Sequence, residues 1–296
     1  MKDLKRFHPI WILALTMVSM PACAQPAIAY LPLERVSVLP FKLNETSGLA
    51  RGGNGFIYTH NDSANKPALY RVSLATGEID NTVKIGNAKN KDWEDLAEDD
   101  DYIYISDTGN NSGKRDDLRI LKVNKKDLDK EEAEAEKIHF AYPKSFYQDK
   151  GKSHDNDCEA LVAIGDSLYL FTKNRATHTT DAFRLPKEAG EYKAQHLANF
   201  NTNGLVTAAD FLPGPTNALA LLGYEIRDHR YISFLWIFRG FHGTDFFSGS
   251  AERYEVAPNL QAEAVIWETA TTLLITNEEE IAGRGQVSRL TIPAAN

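Results

Sequence analysis

The chain has 296 residues, 43% hydrophobic and 25% charged, the balance of a globular protein rather than of a disordered or fibrous one. A formal net charge of −8 argues against a nucleic-acid polymer as partner and suits cation binding or a simply soluble surface. No run reaches the roughly 20 apolar residues of a membrane-spanning helix.

The first 24 residues read as an export signal. Lys2, Lys5 and Arg6 form a positive segment, residues 10–20 an apolar one, and Ala22-Cys23-Ala24 a small-residue cleavage pattern. Cleavage after Ala24 releases a soluble periplasmic or secreted chain. Lipidation of Cys23 would anchor it instead, although Met20 stands where lipoprotein signals usually carry leucine. The remainder, 25–296, is long enough for one large all-β domain. Cys158 is then the lone cysteine, so no intrachain disulfide forms, and it reads as a small buried residue rather than a nucleophile.

One unit recurs along the chain. It appears as TSGLA at 46–50, WEDLA at 93–97 and CEALV at 158–162, and more loosely as TAADF at 207–211 and EAVIW at 263–267. With Ser47, Glu94, Glu159, Thr207 and Glu263 taken as equivalent, the intervals are 47, 65, 48 and 56 residues. A second strand follows each motif (FIYTHND, YIYISDTGNN, SLYLFTKNR, ALALLGYEIR, TLLITNEEE). A polar turn and a third strand come next (ALYRVSL, LRILKVN, DAFRLP, FLWIFRG, QVSRLTIP). These spacings predict a β-propeller of five four-stranded blades. Six blades are the alternative, with a degenerate one in 125–157 or 240–262. Residues 33–40, carrying Val36, Val38 and Leu39, are expected to complete the last blade and close the ring. The acidic EEAEAE at 131–136 is expected in a solvated connection within the long second interval, with a helical turn as the alternative.

In a propeller the innermost strand of each blade begins beside the channel, and the turn after the second strand returns to the same face. Ser47, Glu94, Glu159, Thr207 and Glu263 are therefore expected to ring one mouth. Asn61, Asp62, Asp107, Asn110, Lys173, Arg175, Tyr224, Glu225, Asn277 and Glu278 are expected in a wider ring above it. Converging glutamates repel one another, and burying them unpaired is costly. A calcium ion held by Ser47, Glu94, Glu159, Thr207 and Glu263 would neutralise them. Calcium tolerates an irregular oxygen shell, magnesium demands a tighter octahedron, and zinc would want His or Cys ligands. The alternatives are a purely structural ring, tied by capped amides or by Lys173, Arg175 and Arg119, and proton-transfer carboxylates.

The ring of Ser or Glu at Ser47, Glu94, Glu159 and Glu263, with Thr207 a weaker match, resembles the calcium-activated nucleotidases (apyrases). That resemblance implies a five-bladed propeller with calcium in its channel. No copy of that family's nucleotide-contacting segments accompanies it. The pattern WEDLA…YISDTGNN…R is also similar to exported bacterial propellers of little assigned function.

Asp107 and Glu94 are the catalytic candidates if the chain is an enzyme. SDTGNN at 106–111 otherwise reads as a turn, with Gly109 left-handed. HDNDCE at 154–159 lacks EF-hand spacing and reads as an exposed connection from which Glu159 and Asp157 reach the channel. His60 and His178 read as rim residues. Lys173 and Arg175 beside Glu225 and Glu278 suit a small phosphorylated or carboxylated ligand; the alternative is that they neutralise the glutamates. No G-x-S-x-G, H-E-x-x-H or phosphate-binding glycine loop is present. Three functions follow for a monomeric chain: ligand binding at the channel mouth with an axial calcium ion, a calcium-dependent phosphohydrolase, or a protein-interaction scaffold.

Overall fold

The computed structural model describes residues 29–146, 154–215, 217–258, 261–278 and 284–294. The export signal and Cys23 lie outside the described residues. The short alternating runs became strands, and among the described residues these pair into five four-stranded antiparallel sets. The first blade is Thr46–Gly53, Phe56–Asn61, Ala68–Ser73 and Ile79–Ile85. Trp93–Glu98, Tyr102–Asp107, Arg119–Asn124 and Ala135–Ala141 make the second. The third is Cys158–Ile164, Ser167–Thr172, Thr180–Pro186 and Gln195–Phe200. In the fourth are Leu205–Leu212, Ala218–Arg227, Arg230–Arg239 and Ser250–Ala257.

The fifth blade takes Ala262–Trp267, Thr272–Asn277 and Gln286–Thr291 from the C-terminal end and its outer strand, Ala29–Val38, from the other. Leu33–Val38 pairs antiparallel with Gln286–Leu290, whereas Ala29–Pro32 runs parallel to Tyr254–Ala257 of the fourth blade. The two ends of the chain thus share one sheet, and the ring has no open seam. Each innermost strand packs on the next, and Ala262–Trp267 packs on Thr46–Gly53. Five apolar clusters follow the same circle, each drawn from two adjacent blades, so every blade is buried on both faces. The fold is a β-propeller.

One local expectation is corrected. Residues 131–136 are not a solvated connection but strand. Glu132–Ala133 runs parallel to Lys84–Ile85, and Ala135 opens the outer strand of the second blade. The alternating Glu-Ala pattern explains this, since its period of two buries Ala133 and Ala135 and exposes Glu132, Glu134 and Glu136.

A second feature repeats with the motif. In all five innermost strands the register slips at the same place: between Ser47 and Leu49, Trp93 and Leu96, Cys158 and Ala160, Val206 and Ala208, and Ala262 and Ala264. A bulge frees a residue from the ladder and re-aims its side chain. The five bulges fall at or beside Ser47, Glu94, Glu159, Thr207 and Glu263.

Candidate functional site

Asp92 and Asp157 stand one residue before the inner strands of the second and third blades, two positions ahead of Glu94 and Glu159. Asp62 arrives from the end of the first blade's second strand. One carboxylate oxygen from each of Asp62, Asp92 and Glu94 lies within 4.8 Å of the others, and the same holds for Glu94, Asp157 and Glu159. Glu94 belongs to both groups. It is 4% exposed, and its Oε1 is buried with no hydrogen-bond partner. Gly109 borders this atom: a Cβ there would stand 1.9 Å from Glu94 Oε1 and 2.6 Å from Asp92 Cγ. The space over the two carboxylates exists because residue 109 has no side chain. The expected left-handed turn is at Gly113 (φ +65°), and Gly109 is not among the positive-φ residues.

Cations line this mouth, each already engaged. Lys173 Nζ lies 2.7 Å from Glu159 Oε2 and 5.3 Å from the centre of the Tyr224 ring. Arg175 donates to Asp157 Oδ2 at 2.6 Å through Nη2 and 3.0 Å through Nε. Arg115 and Arg119 reach the buried Asp107 at 3.0 and 2.6 Å. Asp62, Asp92, Glu94, Glu263 and Glu278 are left without a direct cationic partner among the described residues. Burial, with like charges adding, raises the carboxyls of Asp92 to about 6, Asp62 to about 7 and Glu278 to about 8. Glu94 is pushed well above the ordinary range by burial and by Glu159, Asp62, Asp92 and Asp157. Glu159 rises mainly through burial despite Lys173, and Glu263 rises through burial.

The other expected residues have visible tasks. The Ser47 hydroxyl donates to the Glu94 carbonyl, and Thr207 Oγ1 donates to the Ala262 carbonyl at 2.9 Å, so each stitches its blade to the next. Gln261 Nε2 donates to Glu263 at 2.7 Å and Glu278 at 3.0 Å, standing between them. Asn61 donates to the Lys42 carbonyl at 2.7 Å. The Asn110 backbone N–H donates to Asp157 Oδ1 at 2.7 Å. Glu225 pairs with Arg227 and Arg253, and the Asn277 side chain donates to the Glu278 carbonyl at 2.8 Å.

Two readings are revised. His154–Asp157 is buried, not exposed. Asp155 accepts from Ala176 N and Thr177 Oγ1, while Asp157 accepts from Asn110 and Arg175, which pins the segment beneath the neighbouring turns. His60 is also buried, edge-on to Trp93 at 5.5 Å, and burial lowers it to about 4, which keeps it neutral; His178 is exposed. Cys158 is buried, and burial pushes its thiol up to about 12, which leaves it inert.

Among solved structures the chain is similar to a PQQ-bound aldose sugar dehydrogenase from Streptomyces coelicolor. The identity is 12%, the TM-score 0.51, and the match covers 87% of this chain and 96% of that one. An endo-arabinase from Bacteroides thetaiotaomicron matches at 10% identity with a TM-score of 0.48, over 88% of this chain and 98% of that one. The likeness to the dehydrogenase is one of fold; it supports a propeller and brings no nucleotidase relationship with it. No family model and no curated protein matches the sequence.

Sequence reasoning passed over Asp92 and gave Asp157 a minor place. The signal was there: Asp92-Trp93-Glu94 and Asp157-Cys158-Glu159 share a D-x-E spacing at the entry to the inner strand of each blade. Oxygen donors of this number, without sulfur or imidazole, fit a hard cation such as calcium better than zinc.

Proposed function

We propose that this propeller binds a calcium ion at the acidic mouth through Asp62, Asp92 and Glu94 and, over that ion, a small anionic ligand. The observation that carries the reading is the buried, unpartnered Glu94 Oε1 set among carboxylates. An ionised group so placed is costly unless a cation or a proton joins it. Calcium accepts the irregular oxygen shell that carboxylates and water would supply here. The ligand follows from the charges. Lys173, Arg175, Arg115 and Arg119 are each spent on a carboxylate, so an approaching anion meets net negative charge until the ion is in place. Anion binding should therefore depend strictly on calcium. A panel of phosphorylated and carboxylated small molecules, titrated with calcium or with EDTA, tests this. Binding seen only with calcium supports the reading, and equal binding in EDTA overturns it.

A second reading, a calcium-dependent phosphohydrolase, is favoured by the position of Asp62, a third carboxylate within 4.8 Å of those of Asp92 and Glu94 that would stand beside an ion held by those two. The ion would polarise a phosphoryl oxygen while Asp62 takes the proton of an attacking water. Calcium-dependent turnover of phosphate esters lost in Asp62→Asn would favour this over binding alone. Absence of turnover across the panel would remove it.

A further inference from the structure

Both carboxylate groups at the acidic mouth bring their oxygens within 4.8 Å of one another, yet only one is without a cation. Asp62, Asp92 and Glu94 lack a cation, whereas in the group of Glu94, Asp157 and Glu159 two members are already paired, Glu159 with Lys173 and Asp157 with Arg175. The buried member of this pair of cations is Lys173. Its side chain is 6% exposed, and Nζ sits 2.7 Å from Glu159 Oε2, close to the 2.3–2.6 Å at which calcium would meet the same oxygen. Its backbone N–H donates to the Asp157 carbonyl at 2.9 Å, which anchors the residue against the segment that carries the second group. The ammonium also acts electrostatically on Asp62, Glu263 and Glu278, so one charge serves carboxylates from the first, third and fifth blades.

We propose that Lys173 is a built-in counter-ion that occupies the place of a second metal and so holds the mouth to one bound cation. An ammonium is a compact point charge that presents donors in several directions, and it can stand among carboxylates much as an ion does. The planar fork of Arg175 stands beside it, on Asp157 Oδ2 at 2.6 Å and reaching Glu159 Oε1 at 3.4 Å. Glu94 faces both positions, which explains why its Oε1 stays unpartnered: Glu159 takes the ammonium and Glu94 is left for the ion. Removal of the lysine side chain's charge should turn a one-ion mouth into a two-ion mouth bridged by Glu94.

The inference rests on the proposal that Asp62, Asp92 and Glu94 take calcium, and the test keeps the two apart. Calcium stoichiometry is measured by isothermal titration on the full chain and three variants. Wild type is expected to bind one ion, Lys173→Met two, Lys173→Arg one, and the double variant Lys173→Met/Glu159→Gln one. If wild type binds none, the calcium reading itself falls. One ion in wild type and still one in folded Lys173→Met overturns the counter-ion role. Should Lys173→Met fold only with calcium, its recovery of native circular dichroism against calcium concentration supplies the count. Two ions per chain uphold the proposal, and one overturns it.

Discussion

The two mouths of the channel are bounded by the same five strands, yet they handle charge in opposite ways. At the far mouth Arg51 of the first blade reaches Glu98 of the second at 3.1 Å, Asp210 of the fourth at 2.6 Å and the Trp267 carbonyl of the fifth at 3.0 Å. Lys125 covers the other oxygen of Glu98 at 2.6 Å, and the Trp267 N–H donates to Asp210 at 2.7 Å. At the near mouth Asp62, Asp92 and Glu94 have no such cation. Between the two, Asp95 accepts amides of Leu96, Leu161 and Ala209 at 2.8, 2.9 and 3.1 Å and ties three blades together. A cavity of about 1060 Å³ opens at the far mouth, beside Arg51, Glu98, Lys125 and Trp267. Where Arg51, Lys125, Glu98 and Asp210 answer one another the residues explain themselves as scaffold, and where buried charges are left over something from outside is required.

The comparison breaks most sharply at Glu94. Glu94→Gln should lower calcium affinity by about 100-fold, near 2.7 kcal/mol, and should raise the melting temperature in EDTA because one repelled carboxylate is gone. Arg51→Met should do the reverse. It leaves the partly buried Asp210 with one donor fewer, at a cost of about 1–3 kcal/mol in urea unfolding, and leaves calcium affinity unchanged. If Arg51→Met also weakened calcium binding, the two mouths would not be independent.

Gly109→Ala sharpens the geometry. Its Cβ must push aside Glu94 Oε1, the far end of a flexible side chain, so stability should change little while calcium affinity drops about tenfold. An unchanged affinity would mean that the ion does not use that oxygen.

A further effect is on pH. Asp92, Asp62 and Glu278 ionise at about 6, 7 and 8 in the fold, above their ordinary carboxyl values. Between those limits the native state holds more protons than the unfolded chain, so stability falls as pH rises from about 4 to about 8. Each extra proton held contributes about 1.4 kcal/mol per pH unit to that slope. Melting curves in EDTA should show the decline, and saturating calcium should flatten it, since the ion replaces the protons. A decline that calcium leaves untouched would place the raised carboxyls away from the ion.

The propeller was legible because its signal is repetition: five motifs, strands of period two and turn residues between them. Closure by residues 33–40 was legible for the same reason, as the last repeat lacks an outer strand. The site was only partly legible. Glu94 and Glu159 stood out as repeated acidic positions, and Asp62 as the end of a second strand. Asp92 lay one step outside the motif as drawn. The pairing of Lys173 with Glu159, and of Arg115 and Arg119 with Asp107, depends on side-chain reach between turns, which spacing does not encode. EEAEAE read as solvated because its charge outweighed its alternation. The structure weighs them the other way, since two small alanines suffice for a buried edge.

The most direct measurement is isothermal titration of calcium into the purified, EDTA-stripped full chain near pH 7.5. Saturable binding of one ion per chain, with proton release as the raised carboxyls give way, is the predicted result. A flat titration, with a melting temperature that calcium does not move, would contradict it.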